Sequence, residues 1–298
     1  MTNHIPGVCA VTGASGFVGS IILQELRQHL PVVALVRHPQ SADDIAWSLE
    51  SPREIAATLR ARNVKTLVHA AWDMRASSVA ELEKTCVQGS AALFDAAARA
   101  GVERIVFVST ISAFTGCRSA YGRAKLSVEK LLAGSSNIVF RFGLVFGDRL
   151  GGVFGGIRRQ VQNSRILPMI GSGLTPQYLL HEKTLAGSVL RAVHGDFDSA
   201  HGTPITLAHP QPWRFRDLVK SIAASEGRQV RLLPVPWQLL YAGIRTGEAL
   251  GLNLPFRSDS ILSFAYYDRS PDFSLMDSLG IEPLPYEPCA VCRSHAQS

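Results

Sequence analysis

The sequence predicts an α/β fold: a doubly wound parallel sheet with a smaller C-terminal lobe. Three observations lead there. Val8-Cys9-Ala10-Val11 is a short apolar run, followed by glycines at 13, 16 and 19 and by apolar residues at helical spacing, Phe17, Ile21, Ile22 and Leu26. That is the pattern of a buried strand, a tight turn and a helix. Apolar strand-length runs then alternate with helical stretches, which argues for parallel strands joined by crossover helices. Finally, 298 residues are long for one core and short for two full domains.

The glycine turn comes first. One glycine permits the turn, one lets backbone approach a pyrophosphate, and one lets helix and strand pack closely. The free N–H groups at the helix start, aided by the helix dipole, would face the phosphates. Gly13, Ser15, Gly16, Phe17, Val18 and Gly19 are therefore the expected phosphate cradle of a dinucleotide. The alternative is a purely structural turn.

Val32 to Val36 reads as the second strand and ends at Arg37. In a nucleotide fold this position meets the adenosine ribose. An acid there would select NAD, whereas an arginine pairs with a 2′-phosphate and selects NADP. NADP is the expected cofactor, with NAD as the alternative in which Arg37 merely ends a strand. Ser51-Pro52-Arg53-Glu54 looks like an N-cap with proline in the first turn, opening a helix through Ile55, Leu59 and Ala61. Thr66 to Trp72 is a strand and its exit, where small Ala70 and Ala71 let backbone come close to the cofactor. His69 has no acidic partner nearby in sequence and reads as structural. Glu81 to Ala100 is helical, with an apolar face and Gly101 at its C-cap. Ile105 to Val108 is the next strand, leading to Ser109 and Thr110.

Tyr121 and Lys125 lie one helical turn apart on the next helix and share a face. A phenol ionises near pH 10. A neighbouring lysine cation would favour phenolate and make Tyr121 a proton donor and acceptor near neutral pH. Thr110, or Ser109 beside it, can offer a hydroxyl to a substrate oxygen that gains charge. The alternative is an ordinary exposed helix pair.

The order of these parts resembles the short-chain dehydrogenase/reductase superfamily. The wording Thr12-Gly13-Ala14-Ser15-Gly16-Phe17-Val18-Gly19, Val68-His69-Ala70-Ala71, Phe107-Val108-Ser109-Thr110, Tyr121-Gly122-Arg123-Ala124-Lys125 and Arg141-Phe142-Gly143-Leu144-Val145-Phe146-Gly147 is similar to its extended, NAD-dependent epimerase/dehydratase branch. The resemblance covers the first half and continues more loosely to Leu279. It implies a Rossmann sheet, with Thr110 binding the reacting oxygen, Tyr121 as acid/base and Lys125 also holding the nicotinamide ribose. Phe142 and Val145 would run beside the cofactor. It implies hydride transfer at a secondary alcohol or ketone carbon, reducing or epimerising a nucleotide sugar. An NADPH-dependent reductase of a non-sugar ketone and a catalytically silent NADP-binding sensor are the alternatives.

Departures from that pattern are visible. Cys86 precedes Val87-Gln88-Gly89 where relatives often carry asparagine. The stretch Ile45-Ala46-Trp47-Ser48-Leu49 has no acid for adenine. Gln177 stands where nucleotide-sugar members often carry a phosphate-pairing arginine, and His181 is followed by Glu182-Lys183-Thr184 rather than an acidic pair. Ile111-Ser112 after Thr110 argues against dehydration.

In the second half, Asn137 to Phe142 is a strand. Arg158, Arg159 and Arg165 are read evenly as a phosphate or carboxylate clamp or as a solvated helix face. His181 to Val193 is a helix and Pro204 to Leu207 a strand. Trp213 opens a helix ending near Gly227, and Val230 to Leu233 is a short strand. Pro236-Trp237 starts a helix whose face of Leu239, Leu240, Ile244, Ala249 and Leu250 is expected in the lobe core; a partner or membrane surface is the minority alternative. Ser258-Asp259-Ser260-Ile261 opens another helix. The tail beyond Pro283 is expected to be loosely ordered. The division expected is 1–142 with 181–208 as the cofactor domain, and 143–180 with 209–298 as the substrate lobe.

Composition narrows the class. Hydrophobic residues at 46% and charged residues at 18% describe a compact globular chain. The net charge of +6 reads as general surface charge, with no basic run dense enough for nucleic acid. Met1 to Pro6 lacks a basic leader, and no apolar run reaches a membrane span. Cys289 and Cys292 form a lone Cys-x-x-Cys, weak evidence for zinc, so no metal site is expected. All five cysteines read as thiols in a reducing cytoplasm. The expected partner is a small-molecule substrate; a homodimer is an open assembly.

Overall fold

The computed structural model describes residues 7–51, 54–74, 76, 78–252, 254 and 257–288. The leader expectation at Met1 to Pro6, the helix start at Pro52 and Arg53, and the Cys289/Cys292 pair lie outside the described residues.

The first half alternates as expected. The elements are β1 (Val8–Thr12), α1 (Phe17–Arg27), β2 (Val32–Val36), β3 (Ile45–Ala46), α2 (Ala56–Ala61), β4 (Val64–His69), α3 (Val79–Leu82), a π-helical turn (Glu83–Val87), α4 (Gln88–Ala100), β5 (Arg104–Thr110), α5 (Ala120–Leu131) and β6 (Ile138–Phe142). The second half adds β7 (Leu144–Phe146), α6 (Gly152–Asn163), β8 (Ile166–Ile170), β9 (Pro176–Gln177), β10 (Leu179–His181) and α7 (Glu182–His194). After these come β11 (Ile205–Leu207), β12 (Trp213–Arg214), α8 (Phe215–Ser225), β13 (Arg231–Val235), α9 (Trp237–Ala249), α10 (Ser258–Ala265) and α11 (Ser274–Ser278).

Seven strands form one parallel sheet in the order β11-β6-β5-β4-β1-β2-β3. This is the Rossmann arrangement, and its strand order reverses between β1 and β4. A crevice opens at the carboxyl ends of such strands. The strands are buried on both faces because helices cover both. Cys9, Val11, Val106 and Val108 feed a core shared with α1 and α7. Ala10, Ile105 and Phe107 feed the opposite core, shared with α2, α4 and α5. A third, smaller cluster joins Phe146, Ile157, Val161, Leu167, Leu218 and Ile222.

Several expectations are corrected. The helix expected from Ser51 begins at Ala56, after an Ile55 N-cap. The helix expected from Glu81 begins at Val79. Ser78 caps it with a reciprocal Ser78–Glu81 capping box, and the π-helical turn inserts one residue into its register. The expected start at Trp213 instead pairs as β12 with β9, and α8 begins at Phe215. His181 is the N-cap of α7 rather than its first residue; its side chain accepts from the Lys183 N–H.

Two corrections concern packing. Within α9 only Gly247 is buried, and Leu239 and Leu250 are 66% and 72% exposed, so this face is not lobe core. An apolar stripe fixes which residues share a face, not that another element lies opposite. Residues 284–288, the described part of the tail, pack back on the protein, and the rest of that expectation lies outside the described residues. Tyr286 meets Phe146, Phe154 and Trp213 at ring separations of 5.3, 5.7 and 5.4 Å, and the Leu284 N–H donates to Thr184 Oγ1.

Candidate active site

A cleft of about 810 Å³ opens at the carboxyl ends of the strands, within the usual size of small-molecule sites. All the site residues expected from the sequence line it: Gly13, Ser15 to Gly19, Arg37, Ala70, Ala71, Thr110, Tyr121, Lys125, Phe142 and Val145.

The glycine turn has no room for side chains. Gly13 has φ +68°, and a Cβ there would lie 2.6 Å from the Ala71 nitrogen. A Cβ at Gly19 would sit 2.0 Å from the Gly13 carbonyl oxygen, so α1 rests directly on the turn. Gly16 caps α1 with no side-chain hydrogen bond, and its first turn carries no acid. That leaves backbone N–H groups and a positive helix end for an anion. The rings of Trp47 and Trp72 line the same cleft, and the indole N–H of each is buried without a partner among the described residues. Cradle and orphan donors together fit a dinucleotide.

The wall behind the turn is held by a buried chain. Thr12 Oγ1 accepts from the Ala70 and Ala71 N–H groups, both at 3.1 Å, and meets His69 Nδ1 at 2.8 Å. His69 Nε2 meets Ser90 Oγ at 2.9 Å, and Ser90 donates to the Cys86 carbonyl at 2.6 Å. One proton assignment satisfies every partner: Thr12 donates to Nδ1, and Nε2–H donates to Ser90. Burial, with Lys125 nearby, pushes His69 down to about 3, so it stays neutral. The sequence reading of His69 as structural agrees with this. Cys86 lies in the π-helical turn, a feature that often marks functional sites.

Thr110 and Tyr121 line the same cleft, and the Thr110 hydroxyl beside the phenol favours its ionisation. A Cβ at Gly122 would lie 2.4 Å from the Ser112 carbonyl oxygen; its absence lets the start of α5 sit against the loop after Thr110. Ser109 also lines the cleft, but its hydroxyl is engaged by Glu129. Ser109 is buried, and Glu129 also takes Arg141 Nε and Nη2.

The electrostatics differ from expectation. Lys125 Nζ donates to the Val108 carbonyl and lies over the rings of Trp72 at 3.9 Å and Phe107 at 4.7 Å. Burial pushes it down to about 7. Tyr121 is pushed up to about 12, because burial raises it more than the neighbouring Thr110 hydroxyl lowers it. Spacing alone predicts a charged Lys125 that favours the phenolate; burial of both groups outweighs that. The ring of Trp72 packs edge-to-face on Tyr121 at 5.8 Å, a contact that no spacing rule signals.

Arg37 ends β2 at the cleft, 3.8 Å from Glu50. Glu50, the residue after the acid-free stretch Ile45 to Leu49, lines the cleft. Arg158, Arg159 and Arg165 do not line the cleft, and Arg158 pairs with Glu226, so the clamp alternative fails. The cleft lining also includes Met74, Gln177, Tyr178, Phe264, Tyr267 and Asp268.

Residues 9–193 match the model of the NAD dependent epimerase/dehydratase family. No curated protein sequence matches the chain. Among solved structures, the chain is similar to MoeE5 in complex with UDP-glucuronic acid and NAD, at 20% identity and a TM-score of 0.64 over 93% of this chain and 97% of that one. It is similar to UDP-N-acetylglucosamine 4-epimerase from Bacillus cereus, at 18% identity and 0.61 over 94% and 99%. A short-chain dehydrogenase/reductase superfamily protein from Agrobacterium tumefaciens with bound NAD shares 22% identity and a TM-score of 0.61 over 86% and 95%. At these identities the structural likeness concerns the fold.

Proposed function

The chain belongs to the NAD-dependent epimerase/dehydratase family, and from that premise we propose that it catalyses hydride transfer at a secondary alcohol or ketone carbon. The observation that carries this reading is that Thr110, Tyr121 and Lys125 line the same cleft as the glycine turn. When bound, the nicotinamide ring supplies or accepts the hydride. Thr110 and Tyr121 hold the reacting oxygen between their hydroxyls. In reduction, Tyr121, protonated at neutral pH, gives its proton to that oxygen as charge develops there. Lys125 would hold the nicotinamide ribose, and the α1 N-terminus with Ser15 to Gly19 would hold the phosphates. Arg37 supports NADP over NAD; the acid beside it, Glu50, supports NAD.

Our leading substrate is a nucleotide sugar, reduced or epimerised at a keto carbon, in a lobe formed by 143–180 with 209–298. MoeE5 with UDP-glucuronic acid and the Bacillus cereus 4-epimerase support this class. A non-sugar ketone is favoured instead by Gln177 and by a wall of Trp72, Met74, Tyr178, Phe264 and Tyr267. Oxidation of NADPH and NADH with a panel of keto-sugar nucleotides and apolar ketones separates the two. Tyr121→Phe should lower the rate by about 10²–10⁴-fold. Equal rates would remove Tyr121 as the acid. Tight cofactor binding without turnover on any substrate would favour a sensor.

A further inference from the structure

The helix that carries Tyr121 and Lys125 is capped from outside its own segment. Asp259, on α10, accepts the Ala120 N–H on Oδ1 at 2.7 Å and the Tyr121 N–H on Oδ2 at 2.9 Å. These are the first two residues of α5. The α5 N-cap, Ser119, takes the Gly122 N–H at 3.1 Å. Three exposed donors of the first turn are thus satisfied, two of them by one carboxylate at the positive end of the helix. Neither oxygen of Asp259 is spent on a side chain of α5; both go to backbone, so the carboxylate fixes the position of the helix start itself.

Asp259 is held in turn. Glu248 on α9 accepts from both the Ser258 N–H at 2.9 Å and the Ser258 hydroxyl at 2.7 Å, which fixes the start of α10. Beside it, the Arg118 guanidinium lies 4.1 Å over the Tyr266 ring. The same stretch of chain presents Ser260, Ser263, Phe264 and Tyr267 to the cleft. The wall that meets the substrate and the clamp on the Tyr121 backbone are therefore one short helix and its exit.

We propose that Asp259 is a positioning residue: it ties the substrate-facing wall of α10 to the backbone of Tyr121 and sets where the phenol stands relative to Thr110. This rests on the reading of Tyr121 as the proton donor. The phosphate cradle on β1 and α1 lies on other elements, and Lys125, the α5 residue that would hold the ribose, is anchored independently to β5 through the Val108 carbonyl. Loss of the clamp should therefore disturb the phenol and leave cofactor binding intact.

The test uses the full chain labelled at the tyrosine Cζ carbons, with the Tyr121 resonance assigned through Tyr121→Phe. In Asp259→Ala the Ala120 and Tyr121 amides should exchange with solvent at least tenfold faster, and the Tyr121 Cζ signal should shift or split. Affinity for NAD and NADPH should stay within twofold. Asp259→Asn, which keeps one acceptor oxygen, should retain the wild-type Tyr121 signal more closely than alanine. Where turnover is found, kcat per cofactor-binding molecule should fall about tenfold in the alanine variant with KM within twofold. An unchanged Tyr121 signal in folded Asp259→Ala would overturn the proposal, as would parallel loss of cofactor binding in both variants. Failure of the wild type to bind either cofactor would instead sink the oxidoreductase reading, while the Tyr121 signal would still report on Asp259.

Discussion

Lys125 Nζ donates to the Val108 carbonyl at 2.6 Å, on the strand that ends in Thr110. The lysine is thereby fixed to the sheet, and burial between aromatic rings pushes it down to about 7. A neutral amine has two N–H donors and an ammonium three. Holding both ribose hydroxyls while keeping Val108 needs the third. Cofactor binding should therefore take up a proton above pH 7. Calorimetry in two buffers of different ionisation heat should show uptake approaching one proton at pH 8 and little at pH 6. Cofactor affinity should weaken as pH rises through about 7. Lys125→Met should abolish the uptake; equal uptake in that variant would assign the proton elsewhere. The folding consequence has the same origin. The unfolded lysine keeps its proton up to its ordinary value, near 10.5, while the folded one releases it near 7. Stability from this group thus rises with pH across that window, and its cost is full below 7.

The parts of the site that local spacing encodes were legible in the sequence. The glycine turn, the β2 exit at Arg37 and the Tyr121–Lys125 pair each rest on neighbours a few residues apart, where helical and strand periods act directly. What escaped depends on contacts between distant segments. Asp259 meets the Tyr121 N–H from 138 residues away. Trp72 finds Tyr121 only once β4 and α5 are side by side. The π-helical turn at Glu83–Val87 shifts the helical register by one residue without changing composition, so periodicity does not reveal it. The phenol and lysine acidities were misjudged for a related reason: spacing supplies a neighbouring charge but not its burial.

The Arg37–Glu50 pair should set cofactor choice by competition. Arg37 is 57% exposed on its side chain and 3.8 Å from a half-exposed carboxylate, so the contact itself is weak. A 2′-phosphate can displace Glu50 and take a charge-assisted pair with the guanidinium. Arg37→Ala should weaken NADPH binding about tenfold or more and leave NADH within twofold, and Glu50→Gln should strengthen NADPH binding. Fluorescence titration of both cofactors reads the ratio. Equal losses for NADPH and NADH in Arg37→Ala would show that Arg37 does not read the 2′ position.

The end of the described chain should stabilise the smaller cluster built on Phe146. Tyr286 stands among Phe146, Phe154 and Trp213, three rings from separate elements. Phe146 ends β7, the strand that continues from β6 through Gly143. An aromatic side chain that closes such a cluster contributes through buried area and edge-to-face contacts. Because Tyr286 is only partly buried, its removal should cost less than a full core truncation. Tyr286→Ala should lower unfolding free energy by about 1–3 kcal/mol, read as a shifted urea midpoint with an unchanged slope. Cofactor affinity should not move, since the cradle lies on β1 and α1. Tyr286→Phe should cost far less, because the ring contacts remain and only the hydroxyl that meets Ser221 is lost. An alanine variant as stable as the parent would mean that the tail rests on the cluster without supporting it.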